Sequence, residues 1–162
     1  MGAADGLLER KVLMLALRVA SGRRAILDPE NGTPVGSIRR RPRLGWRARF
    51  TRRVIEVQEL EDDSLLCTVR RCWSLAAWYE VRDADEHLVG WHGGPLLLDR
   101  AGHRVAMRED EAEAGMSRYV SPDGMTLARL AWQGEDALLT FADEIAEEPF
   151  VKMLLLAAAV RW

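Results

Sequence analysis

The sequence predicts an all-β protein with one helix, in which a closed antiparallel β-barrel surrounds a buried, apolar C-terminal α-helix. Three observations predict this fold class. A hairpin motif recurs from residue 24 onward, longer segments alternate apolar with polar residues, and the chain finishes in an almost uninterrupted apolar run. A closed sheet has no exposed edge and gives an apolar helix an apolar surround, so a barrel accommodates all three.

The terminal helix is predicted over residues 149–162. Pro149 suits the first helical position because its missing N–H has no partner there, and the two glutamates before it lie where the helix dipole favours negative charge. Between Phe150 and Val160 only Lys152 is polar, so the helix must be buried on every side. The core side chains expected from this helix are Phe150, Val151, Met153, Leu154, Leu155, Leu156 and Val160.

The recurring hairpin motif consists of an apolar residue, an aspartate, a short gap, a glycine and a second apolar run. Asp begins a turn by accepting hydrogen bonds from nearby backbone N–H groups, and Gly supplies the positive φ that the turn needs. In the second copy Glu86 and His87 stand where the glycine is expected. Repeated hairpins predict an antiparallel meander. The four copies lie in residues 26–38, 79–91, 97–106 and 119–128.

Other strands are predicted between the hairpins. Residues 7–19 fit either the start of a helix or a buried strand, and we favour a strand that begins near Val12. Residues 109–115 are expected to form an exposed acidic loop. The remaining predicted strands are residues 46–51, 54–60, 65–73 and 137–141.

The chain is expected to be one domain over residues 12–162 that follows a frayed segment, residues 1–11. Its 48% apolar and 30% charged residues are typical of a soluble globular protein and exclude a disordered chain. Only two cysteines occur, Cys67 and Cys72, and no export signal is recognisable, which predicts a cytoplasmic location. The helix is shorter than the roughly 20 apolar residues that cross a bilayer, so no transmembrane span is expected.

The most unusual polar feature is the Arg-rich segment, residues 39–53, which holds eight arginines in fifteen residues. One interpretation is contact with anionic phospholipid, at about 1 kcal/mol per basic residue, with Trp46 as an interfacial anchor. A second is binding along a nucleic-acid backbone. A third is a solvated strand face and a charged loop without a ligand. The candidate lipid-binding residues are Arg39, Arg40, Arg41, Arg43, Trp46, Arg47, Arg49, Arg52 and Arg53.

Sequence motifs of catalysis are missing from the chain. It contains no nucleophile elbow, P-loop or zinc-protease helix motif, so we identify no catalytic residue, metal ligand or cofactor and favour a protein that is not an enzyme. His92 precedes Gly-Gly-Pro, which predicts an exposed turn position. Asp83 and Asp85 begin like a calcium loop, but the glycine at loop position six and the glutamate at position twelve are absent.

The hairpins at residues 28–38 and 81–90, and the strand, acidic-Pro-aromatic turn and Leu/Ala helix at residues 141–159, resemble a known family. They are similar to the phospholipid scramblase-like and tubby-like β-barrels, and most of all to small bacterial scramblase-related proteins. The similarity covers about residues 20–162 and implies a barrel of about twelve strands around a central C-terminal helix. The family's calcium segment and palmitoylated cysteine-rich stretch have no counterpart here.

These observations favour a non-enzymatic binding or scaffold module of scramblase/tubby-like type that contacts an anionic membrane surface peripherally through the Arg-rich segment. One alternative is a calcium-independent phospholipid-handling protein, related to the scramblases. Another is a nucleic-acid-binding module that uses the same segment. An unidentified protein partner is compatible with each of these.

Overall fold

The computed structural model describes residues 6–20, 23–41, 54–72 and 77–160. Within these ranges the chain forms a closed barrel of twelve antiparallel strands around the α-helix α1 (Pro149–Ala159). The strands are β1 (Val12–Ala20), β2 (Arg23–Leu27), β3 (Pro34–Arg40), β4 (Val54–Glu59), β5 (Leu65–Arg71), β6 (Trp78–Asp83), β7 (Leu88–Gly93), β8 (Leu96–Asp99), β9 (Arg104–Asp110), β10 (Met116–Val120), β11 (Thr126–Gln133) and β12 (Asp136–Phe141). The predicted fold class is therefore confirmed.

Each strand pairs with the strands before and after it in the sequence, and β1 pairs with β12 to close the barrel. Val12 lies opposite Thr140, so the predicted strand beginning near Val12 is confirmed. The strand predicted over residues 46–51 lies outside the described residues. The acidic loop is shorter than predicted, because β9 continues to Asp110 and pairs there with Ser117.

The centre of α1 fills the barrel. Leu154, Leu155 and Leu156 are each 2% exposed or less, and Met153 and Val160 are also buried. Gly90 in β7 lets α1 come close to the wall, because a Cβ there would meet the Leu154 side chain at 3.2 Å and the backbone oxygen of Leu98 at 2.1 Å. No helix among the described residues combines the length and the apolar character that crossing a bilayer requires.

The prediction for the first turn of α1 is wrong at Phe150, which was expected in the core. Phe150 is 57% exposed, whereas Lys152 is only 3% exposed. Residues two apart on a helix point to nearly opposite sides, so one of this pair must face the interior when the other faces solvent. Lys152 takes the inner position because its Nζ donates hydrogen bonds to the carbonyl oxygens of Leu8, at 2.6 Å, and Ala146, at 2.9 Å.

Two further features of the predicted helix differ, the burial of Val151 and the position of the C-terminal end. Val151 is only partly buried. The helix ends at Ala159, and Val160 has an extended backbone with ψ of 91°, so the predicted end at residue 162 is too late. Val160 nevertheless remains in the core, at 8% exposed.

The predicted frayed segment is wrong from residue 6 onward. Leu7 is 1% exposed, and its backbone N–H donates to Oε1 of Glu59 at 3.0 Å. Gly36 in β3 leaves room for the Leu7 side chain, since a Cβ at Gly36 would lie 2.3 Å from it. The turn that contains Leu7 therefore belongs to the barrel core, and residues 1–5 lie outside the described residues.

The hairpin predictions are confirmed. Asp28, Asp83 and Asp99 each accept a hydrogen bond from a backbone N–H group two residues further along the chain. Glu86 adopts φ of 64°, so it takes the position that glycine occupies in the other copies. Its side chain is held by Arg70. We call the end of the barrel that carries these turns and the start of α1 the turn end, and the opposite end the cavity end.

Candidate functional site

A cavity of about 890 Å³ opens at the cavity end of the barrel. It lies against the C-terminal end of α1, where Ala158 and the following Val160 contribute apolar surface. Val54 and Val69 contribute more from the barrel wall. Protein sites for small molecules have volumes of roughly 300–1,000 Å³ and combine apolar walls with a few polar groups. The cavity therefore has the size of a ligand site.

Arginine side chains form the last inward layer of the barrel wall at this end. Side chains on one face of a strand recur every second residue. Arg40 lies two residues beyond buried Ile38, Arg71 two beyond Val69, and Arg108 two beyond Ala106. All three arginines line the cavity. Each lies on the inward-facing register of its strand. Arg40 is therefore the last residue of β3 and not a loop residue as one interpretation expected, but it remains exposed at the mouth of the cavity.

An aromatic pair faces the same cavity. His92 in β7 lies opposite Tyr79 in β6, and their rings stack with centroids 4.9 Å apart and planes 9° from parallel. Burial lowers the pKa of His92 to about 4, so the imidazole is neutral at pH 7. Its Nε2 is shielded from solvent and has no hydrogen-bond partner in the described part of the chain. The predicted exposed turn position is wrong, because β7 continues through Gly93.

Tyr119 in β10 and Asp110 in β9 complete the polar lining. Tyr119 is 1% exposed, and burial raises the pKa of its hydroxyl to about 12, so it stays protonated at neutral pH. Nη2 of Arg108 donates to Oδ1 of Asp110 at 3.2 Å. The carboxylate therefore offsets one of the cavity arginines, and the lining as a whole keeps an excess of positive charge.

Glu56 in β4 binds the other arginines that the structure describes in the Arg-rich segment. It is 4% exposed, and its two carboxylate oxygens contact Nε of Arg39, at 2.6 Å, and Nη2 of Arg41, at 2.7 Å. Burial by itself would raise the pKa of Glu56, but the hydrogen bonds and charges of the two arginines outweigh burial and lower it. Arg39 and Arg41 thus compensate a buried carboxylate, a role that sequence reasoning missed.

The rest of the predicted lipid-binding set lies outside the described residues. These residues are Arg43, Trp46, Arg47, Arg49, Arg52 and Arg53. The Arg-rich segment begins in β3 and joins β4, and the two strands adjoin the cavity end where the segment connects them. Both ends of the segment therefore join the rim of the cavity.

The turn end has the opposite charge. All five hairpin turns there contain acidic residues, and four more precede α1. The acidic residues in or beside these turns are Asp28, Glu30, Glu61, Asp62, Asp63, Asp83, Asp85, Glu86, Asp99 and Asp123, followed by Asp143, Glu144, Glu147 and Glu148 before the helix. The cavity-end turns that the structure describes carry fewer acidic residues, Glu111, Glu113 and Glu135. An anionic surface is therefore repelled more strongly by the turn end than by the cavity end, where the arginines attract it.

The calcium-like sequence at the turn end has a structural explanation. Ligand atoms of Asp83, Asp85 and His87 lie within 4.8 Å of one another. However, Oδ1 of Asp83 already accepts hydrogen bonds from the backbone N–H groups of Asp85, at 3.0 Å, and His87, at 2.8 Å. This carboxylate forms the hairpin turn, as the sequence predicts.

The buried state of His92 predicts a pH dependence of stability. The unfolded chain takes up a proton near the ordinary His pKa of 6.5, whereas the folded chain does so only near pH 4. Since the unfolded state binds more protons between these values, the free energy of unfolding should fall as the pH drops from 6.5 to 4, by at most about 3 kcal/mol. Urea unfolding at several pH values measures this.

The matched variant for this measurement is His92→Phe, which keeps an aromatic ring beside Tyr79 but cannot titrate. Its free energy of unfolding should fall less steeply than that of the parent in the same pH interval. Parallel curves for the two proteins would show that the folded state does not exclude the charged imidazole.

Comparisons of the chain with protein-family models, with curated proteins and with solved structures give no significant match. The resemblance to scramblase-like and tubby-like barrels stays a prediction.

Proposed function

We propose that the protein is a non-enzymatic binding module of the scramblase/tubby-like type, and that its cavity end contacts anionic phospholipid. The observation that supports this most directly is the inward layer of Arg40, Arg71 and Arg108 around a cavity with apolar walls. Guanidinium groups bind phosphate oxygens through paired hydrogen bonds, and the apolar surface beside them suits an acyl chain.

Charge and topology support the same orientation. The turns at the turn end, with the residues before α1, carry fourteen acidic residues, whereas the cavity-end turns that the structure describes carry Glu111, Glu113 and Glu135. An acidic bilayer therefore attracts the cavity end first. The Arg-rich segment, whose sequence contains further arginines and Trp46, connects two strands of the rim. Nucleic-acid binding would use the arginines but not the apolar cavity, so an amphiphilic ligand accounts for more of the site.

The proposal predicts salt-sensitive binding to acidic vesicles. In flotation experiments the parent should bind vesicles that contain acidic phospholipid, bind less as salt is raised, and ignore neutral vesicles. The triple variant Arg43→Ala, Arg47→Ala and Arg49→Ala should bind about 100-fold more weakly, since each basic residue contributes about 1 kcal/mol. Arg39 and Arg41 stay unchanged because Glu56 needs them.

The matched control is the triple variant Arg100→Ala, Arg104→Ala and Arg129→Ala, which removes the same charge from exposed positions outside the cavity. It should bind nearly as well as the parent. An equal loss in both variants would show that overall charge, and not the cavity end, drives binding. Failure of the parent to bind at low salt would overturn the proposal, and equal affinity for duplex DNA would favour the nucleic-acid alternative.

A further inference from the structure

We propose that the cavity holds one single-chain phosphate amphiphile, of the lysophospholipid class, with its phosphate at the arginine layer and its acyl chain along α1. This inference rests on the proposed function for its ligand class, and it adds a specific internal site to a surface contact.

The depth of the lining sets the orientation of the ligand. Arg71 is the last residue of β5, and buried Val69 precedes it on the same face, further into the barrel. Arg108 and Ala106 have the same relation in β9. Charged groups thus surround the mouth and apolar groups lie deeper, where Ala158 of α1 and the following Val160 contribute. An amphiphile fits this gradient when its chain enters first and its head group remains at the mouth.

The charge of the lining selects an anion. Four arginines and one aspartate belong to it. Arg41 already pairs with Glu56, and Arg108 with Asp110. Arg71, in contrast, has no ion pair within the described ranges. A phosphate group suits this arrangement, because its several oxygens can accept hydrogen bonds from more than one guanidinium group.

An independent observation also points to a polar ligand. Nε2 of His92 is shielded from solvent in the cavity lining and has no partner among the described residues. Buried polar atoms in native proteins are nearly always hydrogen-bonded, so an unpaired one calls for an explanation. A neutral imidazole nitrogen can donate or accept one hydrogen bond. A phosphate or glycerol oxygen at the mouth supplies the missing partner.

Calorimetric titration with decyl phosphate, below its critical micelle concentration, tests the proposal. Inorganic phosphate tests the head group without the chain, and decanol tests the chain without the charge. The parent should bind decyl phosphate at least about tenfold more tightly than either of these probes. Arg71→Gln should weaken binding by about tenfold or more, because it removes a charge-assisted hydrogen bond.

The matched control is Arg100→Gln, which removes one exposed arginine from a turn at the other end and should bind as the parent does. Thermal melting of both variants checks that they are folded. Decanol binding as tightly as decyl phosphate would overturn the role of the arginines, and inorganic phosphate binding as tightly would overturn the acyl site. No heat of binding with any probe would overturn the proposal as a whole.

The two proposals fail separately. Vesicle binding by a parent that does not take up decyl phosphate would leave the surface contact and remove the internal site. Uptake of decyl phosphate by a parent that ignores acidic vesicles would leave the internal site and remove the membrane contact.

Discussion

The Leu155→Asp variant is expected not to fold. Leu155 is fully buried in the middle of α1, where water does not reach a carboxylate. Placing an unpaired carboxylate there costs several kcal/mol, beyond the loss of the leucine contacts, and a domain of this size is stable by only about 5–15 kcal/mol. Near-ultraviolet circular dichroism and thermal melting measure the outcome. A variant that melted within a few degrees of the parent would show that α1 is not the centre of the barrel.

Phe150→Asp is the matched control for this substitution, because it introduces the same charge on the same helix. Phe150 is 57% exposed, and a carboxylate at the start of a helix is favoured by the helix dipole. We expect its stability to change by no more than about 0.5 kcal/mol, as is usual for exposed positions. The contrast between the two variants separates burial from a general effect of negative charge on α1.

Replacing the two arginines that pair with Glu56 should have the second largest effect on the free energy of unfolding. The Arg39→Ala/Arg41→Ala variant leaves a carboxylate whose side chain is 6% exposed without its two cations. Breaking a buried ion pair costs about 3–5 kcal/mol, and we expect about 3 kcal/mol here because the arginine side chains are 36% and 51% exposed. The midpoint of urea unfolding measures this loss.

Adding Glu56→Gln to that variant should restore most of the lost stability, since no buried charge then remains. A loss of the same size with and without Glu56 would contradict the ion-pair explanation and point to lost packing. The pH dependence gives a second test. The pKa of Glu56 is lowered from 4.5, so its stabilising contribution is present above that pH and is lost as the pH falls through the lowered value. Glu56→Gln should remove this part of the acid sensitivity.

Local chemistry made most of the barrel predictable. Three of the four recurring hairpins depend on an aspartate and a residue with positive φ a few positions apart, so a short stretch of sequence contains the whole signal. Even the irregular copy was recognisable, because Glu86 stood where glycine was expected and does adopt φ of 64°. The helix start was equally local, since it depends on Pro149.

Contacts between distant residues were not predictable in this way. Lys152 is buried because the backbone of Leu8, 144 positions away, accepts its hydrogen bond. Leu7 is buried because Gly36 leaves space for it. Neither pairing produces a periodic pattern, so Lys152 looked like an exception in an apolar run and the N-terminal turn looked frayed.

The candidate site was missed for a different reason. Arg40 and His92 lie on the inward side of their strands. Each follows the last buried inward-facing residue of its strand by two positions. Continuing the two-residue alternation past Ile38 and Gly90 would have indicated this. The cavity itself arises only where several strands and the end of α1 meet, so no single segment contains its signal.

Closure of β1 against β12 around α1 has a consequence for biosynthesis. The first strand leaves the ribosome about 120 residues before the strand that pairs with its free edge, and the helix that fills the interior follows later still. At ordinary rates of translation this interval is on the order of ten seconds. During that time the nascent sheet has an unpaired edge and an uncovered apolar face, both of which promote aggregation. Aggregation of the newborn chain is therefore favoured until β12 and α1 have been translated.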